Sequence, residues 1–421
     1  MRVLLVNKFC FIKGGDSTYM FNLAELLQQH GHSISYFSMH HPNNKVTAYE
    51  KYFVDEIDFI EVNRNKSILN GMKVLSRAIY SHQARKNVAK LIEDVKPDIA
   101  HLHNIHAQIT PSILYEFQRH NIPVFWTLHD YQWICPNTNM VSHEEICESC
   151  KGNKFFQCTI KKCKKDSRGA SFVATLEAVV HNLLGVKNLV SKYIAPSEFL
   201  INKFTEFGWS PKQIYHLPYF LPKEKFIYDG KVSGNYALYI GRLESYKGVK
   251  TLLKAAAIAK EIPLKIVGEG TEKNSLLDFC RESNLTNVEF VGYLSGEKLN
   301  QMLHNCGYVI VPSEWYENYP YAVMEAMAAG KAVIASRLGG LPEMIEDGIT
   351  GYLFAPWDEK DLAYKMRIIH GDNLLRNKMG NAGRDRAKIL YDQEFHYEKI
   401  MEIYSRKVLY SDNNLPKGID S

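Results

Sequence analysis

Short, largely apolar runs alternate with helix-period stretches along this chain, and that alternation constrains the fold more than any other feature. Val3-Leu4-Leu5-Val6 is typical. It is too short for a helix and has no polar alternate positions, so it reads as a strand covered on both faces. Strands are expected at 2–7, 33–38, 98–103 and 123–129, with a further short one ending at Ile194-Ala195-Pro196-Ser197. Helices are expected at 17–29, closed by Gly31, and at 68–95 and 171–184. Leu217-Pro218-Tyr219-Phe220-Leu221-Pro222 has two prolines that favour extended backbone and reads as an interdomain linker. The rhythm then restarts, with strands at 236–240, 264–267, 288–291, 308–311 and 332–335. Strands that alternate with helices run parallel, because each crossover carries the chain back to the same end of the sheet. The expected fold is α/β, with two Rossmann-like doubly wound parallel-sheet domains facing across a cleft. The expected boundaries are 1–215, 216–390, and 391–421 for a helix near 394–408 that crosses back to the first domain, with a tail.

The 421 residues are 46% hydrophobic and 23% charged, enough apolar material for two cores. The opening run is too short for a secretory segment, and no run reaches the roughly 18 apolar residues of a membrane span, so a cytoplasmic protein is expected. Residues 1–215 hold 25 basic and 19 acidic side chains, against 26 and 27 in the remainder, so the net charge of +5 sits on the first half. Between Val62 and Ile92 lie Arg64, Lys66, Lys73, Arg77, Arg85, Lys86 and Lys90 with no acid. Such a stretch is either a solvated helix face or a surface for anionic lipid, which would make the protein peripheral on the inner face of a membrane.

In open parallel sheets, ligands bind beyond the carboxyl ends of the strands. The chemically interesting residues cluster there. Gly241-Arg242 and Lys247-Gly248 follow one strand and precede a helix. Two cations beside a helix N-terminus suit a diphosphate; the plainer alternative is a surface Arg and Lys at a turn. Gly268 and Gly270, after the next strand, permit close backbone approach to a ligand. The run from Val311 to Gly330 places Glu317 just ahead of a helix that starts near Pro320, with Glu325 inside it. Carboxylates at two depths of a cleft accept hydrogen bonds from hydroxyls, as a nucleotide sugar requires. In the first half, Lys13-Gly14-Gly15 separates a strand from a helix, while His129-Asp130 ends another strand, as do His101, His103 and His106.

The spaced Glu317…Glu325 pair, the Arg242/Lys247 pair and the stretch Leu338-Gly339-Gly340-Leu341-Pro342-Glu343 resemble the signature of family 4 retaining glycosyltransferases, which have the GT-B fold. The resemblance spans the chain and is most specific over 238–355. It implies that Arg242 and Lys247 hold the donor diphosphate, Glu325 the ribose, and Glu317 the donor sugar near the reacting carbon. Gly241, Gly268, Asn318 and Tyr319 would complete the donor site, together with the family-like glycine loop Gly14-Gly15. His129 would reach the donor sugar by hydrogen bonding or polarisation, and His103 the acceptor side. Where the family often has Gly-Phe-Gly after the first Glu, Asn318-Tyr319-Pro320 stands; Pro320 has no N–H, which leaves the sugar's identity open. Ser17 replaces the Glu usual two residues after the second glycine.

The implied function is transfer of a sugar from a UDP- or GDP-linked donor to a glycan or lipid-linked acceptor, in cell-surface polysaccharide or lipopolysaccharide assembly. A nucleotide-sugar epimerase of the same fold is the main alternative. Residues 131–168 break the α/β rhythm and hold Cys147, Cys150, Cys158 and Cys163 with Cys135 nearby. Their paired spacings suit a structural zinc that staples a loop without its own core, or else free thiols; no catalytic metal is expected. A zinc-stapled module binding nucleic acid is a third reading, supported by the loop's lysines alone, and no nucleic-acid partner is expected.

Overall fold

The computed structural model describes residues 1–56, 77, 79–226 and 234–405. The start of the expected 68–95 helix, with Arg64, Lys66 and Lys73, and the end of the expected 394–408 helix lie outside the described residues. The first domain runs β1 (Arg2–Val6), α1 (Gly15–Gln29), β2 (Ser33–Phe37), α2 (His82–Val95), β3 (Ile99–Leu102), α3 (Leu114–Arg119) and β4 (Val124–Thr127). The insertion adds a hairpin, β5 (Val141–Ser142) and β6 (Glu145–Ile146), and a short helix, α4 (Phe156–Ile160). Then come α5 (Arg168–Leu183), β7 (Lys192–Ala195), α6 (Glu198–Glu206) and β8 (Ile214–His216). Six of these strands form a parallel sheet in the order β2-β1-β3-β4-β7-β8.

The second domain runs β9 (Ala237–Ile240), α7 (Val249–Ile258), β10 (Leu264–Val267), α8 (Lys273–Glu282), β11 (Val288–Gly292), α9 (Gly296–His304), β12 (Tyr308–Val311) and α10 (Tyr321–Ala328). It continues through β13 (Ala332–Ser336), α11 (Leu341–Met344), β14 (Gly351–Phe354), α12 (Glu359–Gly371), α13 (Asn373–Leu390) and α14 (Gln393–Ser405). Its parallel sheet is ordered β11-β10-β9-β12-β13-β14. Every residue of β3, β4, β12 and β13 is buried, as continuous apolar runs with helices on both faces require; the edge strand β11 is only half-buried. Helix starts are set by side-chain caps: Ser81, Ser167, Ser197, Asp358 and Asp372 each accept from a backbone N–H of the first turn.

Both sheets have a switch point, where successive crossovers leave in opposite directions. It lies between β1 and β3 in the first sheet and between β9 and β12 in the second. Two chain segments join the domains. Leu217, Tyr219, Phe220 and Leu221 are buried in a core shared by both. Helix α14 packs back on the first domain, where His396 Nε2 lies 3.0 Å from Tyr19 Oη and Tyr404 Oη 2.6 Å from His101 Nδ1. The segments touch: the Leu221 N–H donates to the Tyr391 carbonyl at 3.0 Å, and the Lys223 N–H to Gln393 Oε1 at 3.1 Å.

Candidate active site

The loops leaving β1, β3 and β4 meet those leaving β9 and β12 around a cleft of about 930 Å³. Gly14, Gly15 and His129 line it from the first domain, and Gly241, Arg242, Lys247, Glu317, Asn318 and Tyr319 from the second.

Lys247 is carried by the turn after β9, and Gly248 sets its place. Gly248 has φ +70, and a Cβ there would lie 1.9 Å from the Pro312 carbonyl oxygen, so only glycine lets this turn press on the loop leaving β12. The contact brings Lys247 Nζ within 2.6 Å of Glu317 Oε1, which also accepts from Ser313 Oγ at 2.6 Å. Nζ stands 4.8 Å from the centre of the Trp315 ring as well. Glu317 is only 5% exposed. Burial alone would raise its pKa, but the Lys247 charge and the hydrogen bonds from Lys247 and Ser313 outweigh that and hold the carboxyl below its usual range. Arg242 is exposed to the cleft, its guanidinium 5.9 Å from the Tyr246 ring. Tyr321 and Ala322, in the first turn of α10, edge the same space, so a helix N-terminus adds to the positive field.

On the opposite wall, Gly14 and Gly15 lack positive φ, and no contact below 3.4 Å would meet a Cβ on either. Neither glycine is required by strain or crowding; their effect is to leave the wall low where the cleft runs. Ser17 organises this loop. Its buried Oγ accepts from the Lys13 and Gly14 N–H groups at 2.9 and 3.1 Å and donates to the Gly14 carbonyl. Those two N–H groups therefore face Ser17. His129 lies two residues beyond β4, with Nδ1 2.6 Å from Tyr219 Oη and Nε2 2.9 Å from His103 Nδ1. Burial, with the nearby His101 and Lys8, pushes its pKa down to about 3, so its imidazole is neutral near pH 7. A neutral ring with both nitrogens engaged suits positioning and polarisation.

Three expected positions lie away from the cleft, and a fourth, Asn318, lines it with its amide engaged elsewhere. Glu325 is not among the residues lining the cleft; it pairs with Lys225 at 2.8 Å, because its face of α10 looks toward the chain entering the domain. Gly268 does not line the cleft either. It has φ +146, and a Cβ would lie 1.8 Å from the Gly241 carbonyl oxygen, so the close approach its glycine permits is to the neighbouring strand exit. His103 is fully buried behind His129 and does not reach the acceptor side directly. Asn318 touches the cleft, but its amide ties the domains, accepting from Ser197 Oγ at 2.8 Å and donating to the Leu128 carbonyl at 3.2 Å.

Sequence reasoning passed over Ser313, Asp16 and Asn104, which also concern this cleft. Asn104 Nδ2 donates to Asp16 Oδ2 at 3.1 Å beside the glycine loop. Ser313 lies two residues beyond β12, and its place near a strand end was the available signal. In the insertion, the Cys158 thiol hydrogen-bonds to Cys163, and Lys161 Nζ lies 3.5 Å from Cys147 Sγ. Among the described residues, no three of these thiols have sulfurs within 4.8 Å of one another; one group of three His, Cys, Asp or Glu side chains has ligand atoms that close, and it is His106, Glu177 and His181. No described helix is long and apolar enough to cross a membrane.

Comparison with known proteins agrees with this geometry. Residues 13–222 match the family model Glycosyltransferase Family 4, and residues 222–386 match Glycosyl transferases group 1. An uncharacterized 42.6 kDa protein in the cps region of Klebsiella pneumoniae is 27% identical over 355 residues, 82% of this chain and 87% of that one. A lipopolysaccharide 1,2-N-acetylglucosaminetransferase of Salmonella typhimurium is 31% identical over 185 residues, 41% of this chain but only 47% of its own length. The crystal structure of Anabaena Alr3699/HepE in complex with UDP superposes with a TM-score of 0.64 at 17% identity, covering 97% of this chain and 100% of that one. With two parallel-sheet domains, a cleft at their paired switch points and the two family models matched in succession over residues 13–386, the chain belongs to glycosyltransferase family 4 and is a glycosyltransferase of the GT-B fold.

Proposed function

We propose that the chain is a retaining hexosyltransferase that uses a nucleoside-diphosphate sugar, UDP- or GDP-linked, and transfers the sugar to a hydroxyl of a glycan or lipid-linked acceptor. The observation that carries this reading is the group Arg242, Lys247 and Glu317 on one wall of the cleft. Arg242, Lys247 and the first turn of α10 offer positive charge where a departing diphosphate gathers negative charge. The UDP complex of the Anabaena structure supports a donor of that class. Glu317 accepts hydrogen bonds from the donor sugar's hydroxyls once the diphosphate draws Lys247 away. The diphosphate leaves from the face the acceptor attacks and takes the acceptor's proton, so the anomeric configuration is kept. Neutral His129 positions the sugar once a sugar hydroxyl displaces Tyr219 or His103 from one ring nitrogen, and closure of the domains keeps water from the donor.

The acceptor reading rests on the first domain's surface. Phe156, Ile160, Phe172 and Leu183 are exposed on α4 and α5, in a segment that also carries Lys161, Lys162, Lys164, Lys165 and Arg168. Apolar and basic side chains together suit an anionic lipid surface that presents a lipid-linked glycan. The Salmonella relative, a lipopolysaccharide transferase, is consistent with a role in surface polysaccharide or lipopolysaccharide assembly. The insertion's thiols are proposed to close on a structural zinc, which a mercurial reagent would release.

The test is a screen of UDP- and GDP-sugars for nucleotide release, followed by NMR of the product's anomeric proton. Retained configuration in the wild type and loss of transfer in folded Glu317→Ala support the reading. An inverted product, or near-normal transfer by Glu317→Ala, overturns it.

A further inference from the structure

Behind the acceptor-side wall of the cleft is a second, much smaller cavity of about 20 Å³, edged by His106, Glu177, His181, Gln132, Trp133 and Trp209. That is room for a single ion or water. His106 belongs to both spaces, because it also lines the main cleft. Glu177 and His181 are one helical turn apart on α5, so they project from the same face. One nitrogen from each imidazole and one carboxylate oxygen lie within 4.8 Å of one another.

The polar atoms here are poorly paired for so buried a place. Glu177 is 3% exposed, and its Oε1 has only a long contact, 3.4 Å, to His106 Nδ1; His106 Nε2 has no hydrogen-bond partner. Trp133 Nε1, on the cavity wall, is unpartnered too. His181 is arranged differently. Its Nε2 lies 2.8 Å from the Ile79 carbonyl oxygen, which only accepts, so Nε2 carries the proton and Nδ1 keeps its lone pair. An imidazole whose second nitrogen is anchored on a carbonyl is the usual setting of a metal-bound histidine. A buried carboxylate beside two imidazoles is a donor set that a cation satisfies better than a water does.

We propose that His106, Glu177 and His181 bind one zinc-class divalent cation. Two borderline imidazoles and one hard carboxylate make a His2Glu donor set that suits zinc, with the fourth position left to water. The ion positions rather than reacts. His106 sits in the loop after β3, where Ala107 and Thr110 hold left-handed φ values of 65° and 70° without being glycine. That loop also brings Asn104, Ala107 and Gln108 to the cleft. Binding His106 to α5 through the metal holds this unfavourable backbone in place and fixes the shape of the acceptor-side wall.

The experiment needs neither sugar donor nor acceptor. Purified full-length protein is dialysed against zinc, or against cobalt(II), and metal content is measured together with the cobalt absorption spectrum. The expected cobalt spectrum has ligand-field bands from a nitrogen and oxygen site, separate from any sulfur-to-metal charge-transfer band of the insertion's thiols. One equivalent of zinc should survive mercurial blocking of the thiols and leave only on addition of a chelator, with a fall in Tm. Glu177→Gln and His181→Gln should each lose that equivalent, weakening binding by more than the roughly 10–100-fold typical of losing an outer partner. Circular dichroism shows whether each variant is folded. No thiol-independent zinc in the wild type, or unchanged metal content in both folded variants, overturns the proposal. So does an NMR spectrum showing His106 as a stable imidazolium, because a simple His106–Glu177 ion pair would then account for the cavity.

Discussion

Replacing Lys247 with Met separates the electrostatics of the cleft from its shape. The substitution keeps most of the side chain's volume and its packing on Trp315 but removes the charge 2.6 Å from Glu317 Oε1. Glu317, 5% exposed, is then left with Ser313. Removing one partner of a buried ion pair costs about 3–5 kcal/mol, and the 16% exposure of the Lys247 side chain argues for the lower end, about 3 kcal/mol. The cost should depend on pH with a definite sign. In the wild type the Glu317 pKa is depressed, so its contribution is complete above the unfolded carboxylate value of 4.5 and is lost as pH falls through the folded pKa. Without Lys247, burial is opposed only by the remaining side-chain hydrogen bonds, from Ser313 above all, and raises the Glu317 pKa, so the variant regains stability as acid neutralises the carboxyl. Guanidinium unfolding at pH 8 and pH 5 should therefore give a smaller deficit at pH 5. Lys247→Met/Glu317→Gln should recover all but about 1 kcal/mol, because no uncompensated charge remains. Transfer should stay about 100-fold or more below wild type in both variants, the usual effect of losing one charge-stabilising group. A deficit below about 0.5 kcal/mol, as for exposed pairs, or one that ignores pH, would refute this account.

Four further outcomes follow from the packing. Gly268→Ala should cost about 3 kcal/mol or more by denaturant titration, because the methyl meets the Gly241 carbonyl at an unfavourable φ. Gly14→Ala should instead cost under about 1 kcal/mol yet slow transfer about tenfold, since its methyl enters only the cleft. His396, buried with its pKa pushed down to about 3, must take up a proton on unfolding below its ordinary 6.5. Between pH 7 and pH 5 the wild type should lose about 2 kcal/mol more stability than His396→Gln, at roughly 1.4 kcal/mol per pH unit. Ser17→Ala leaves two N–H groups of the glycine loop without their acceptor and should destabilise by about 1–3 kcal/mol, with weaker donor binding by calorimetry.

Five of the six strand positions in the second domain are legible, β14 being the exception, because each run is mostly apolar and bounded by polar turns. Val309, Ile310 and Val311 leave no other place to go than a sheet interior. The site is legible in part for a related reason. A parallel sheet delivers every strand's carboxyl end to one edge, so Lys247, Glu317 and His129 are gathered by topology although far apart in sequence. Which way a residue turns near that edge is harder to read. His101 and His103 lie on a strand and its exit where both faces are covered, so alternation does not say that His103 backs onto His129. Glycine has the same ambiguity: Gly268 and Gly14 look alike in sequence, but one clears a backbone crossing and the other clears the cleft. Glu325 turns to Lys225, a partner 100 residues earlier whose direction no local pattern encodes. His106 and Glu177 meet only because the insertion returns α5 beneath the loop after β3. β8 went unanticipated because Ile-Tyr-His is too short to show a period.

The paired hydrogen bonds of Leu221 with Tyr391 and Lys223 with Gln393 make the connection between lobes a two-ply strap rather than a single cord. A strap of that kind flexes across its width but resists torsion along its length. Opening and shutting should accordingly trace one arc, so that Arg242 and Lys247 meet the glycine-loop wall in the same register at every turnover.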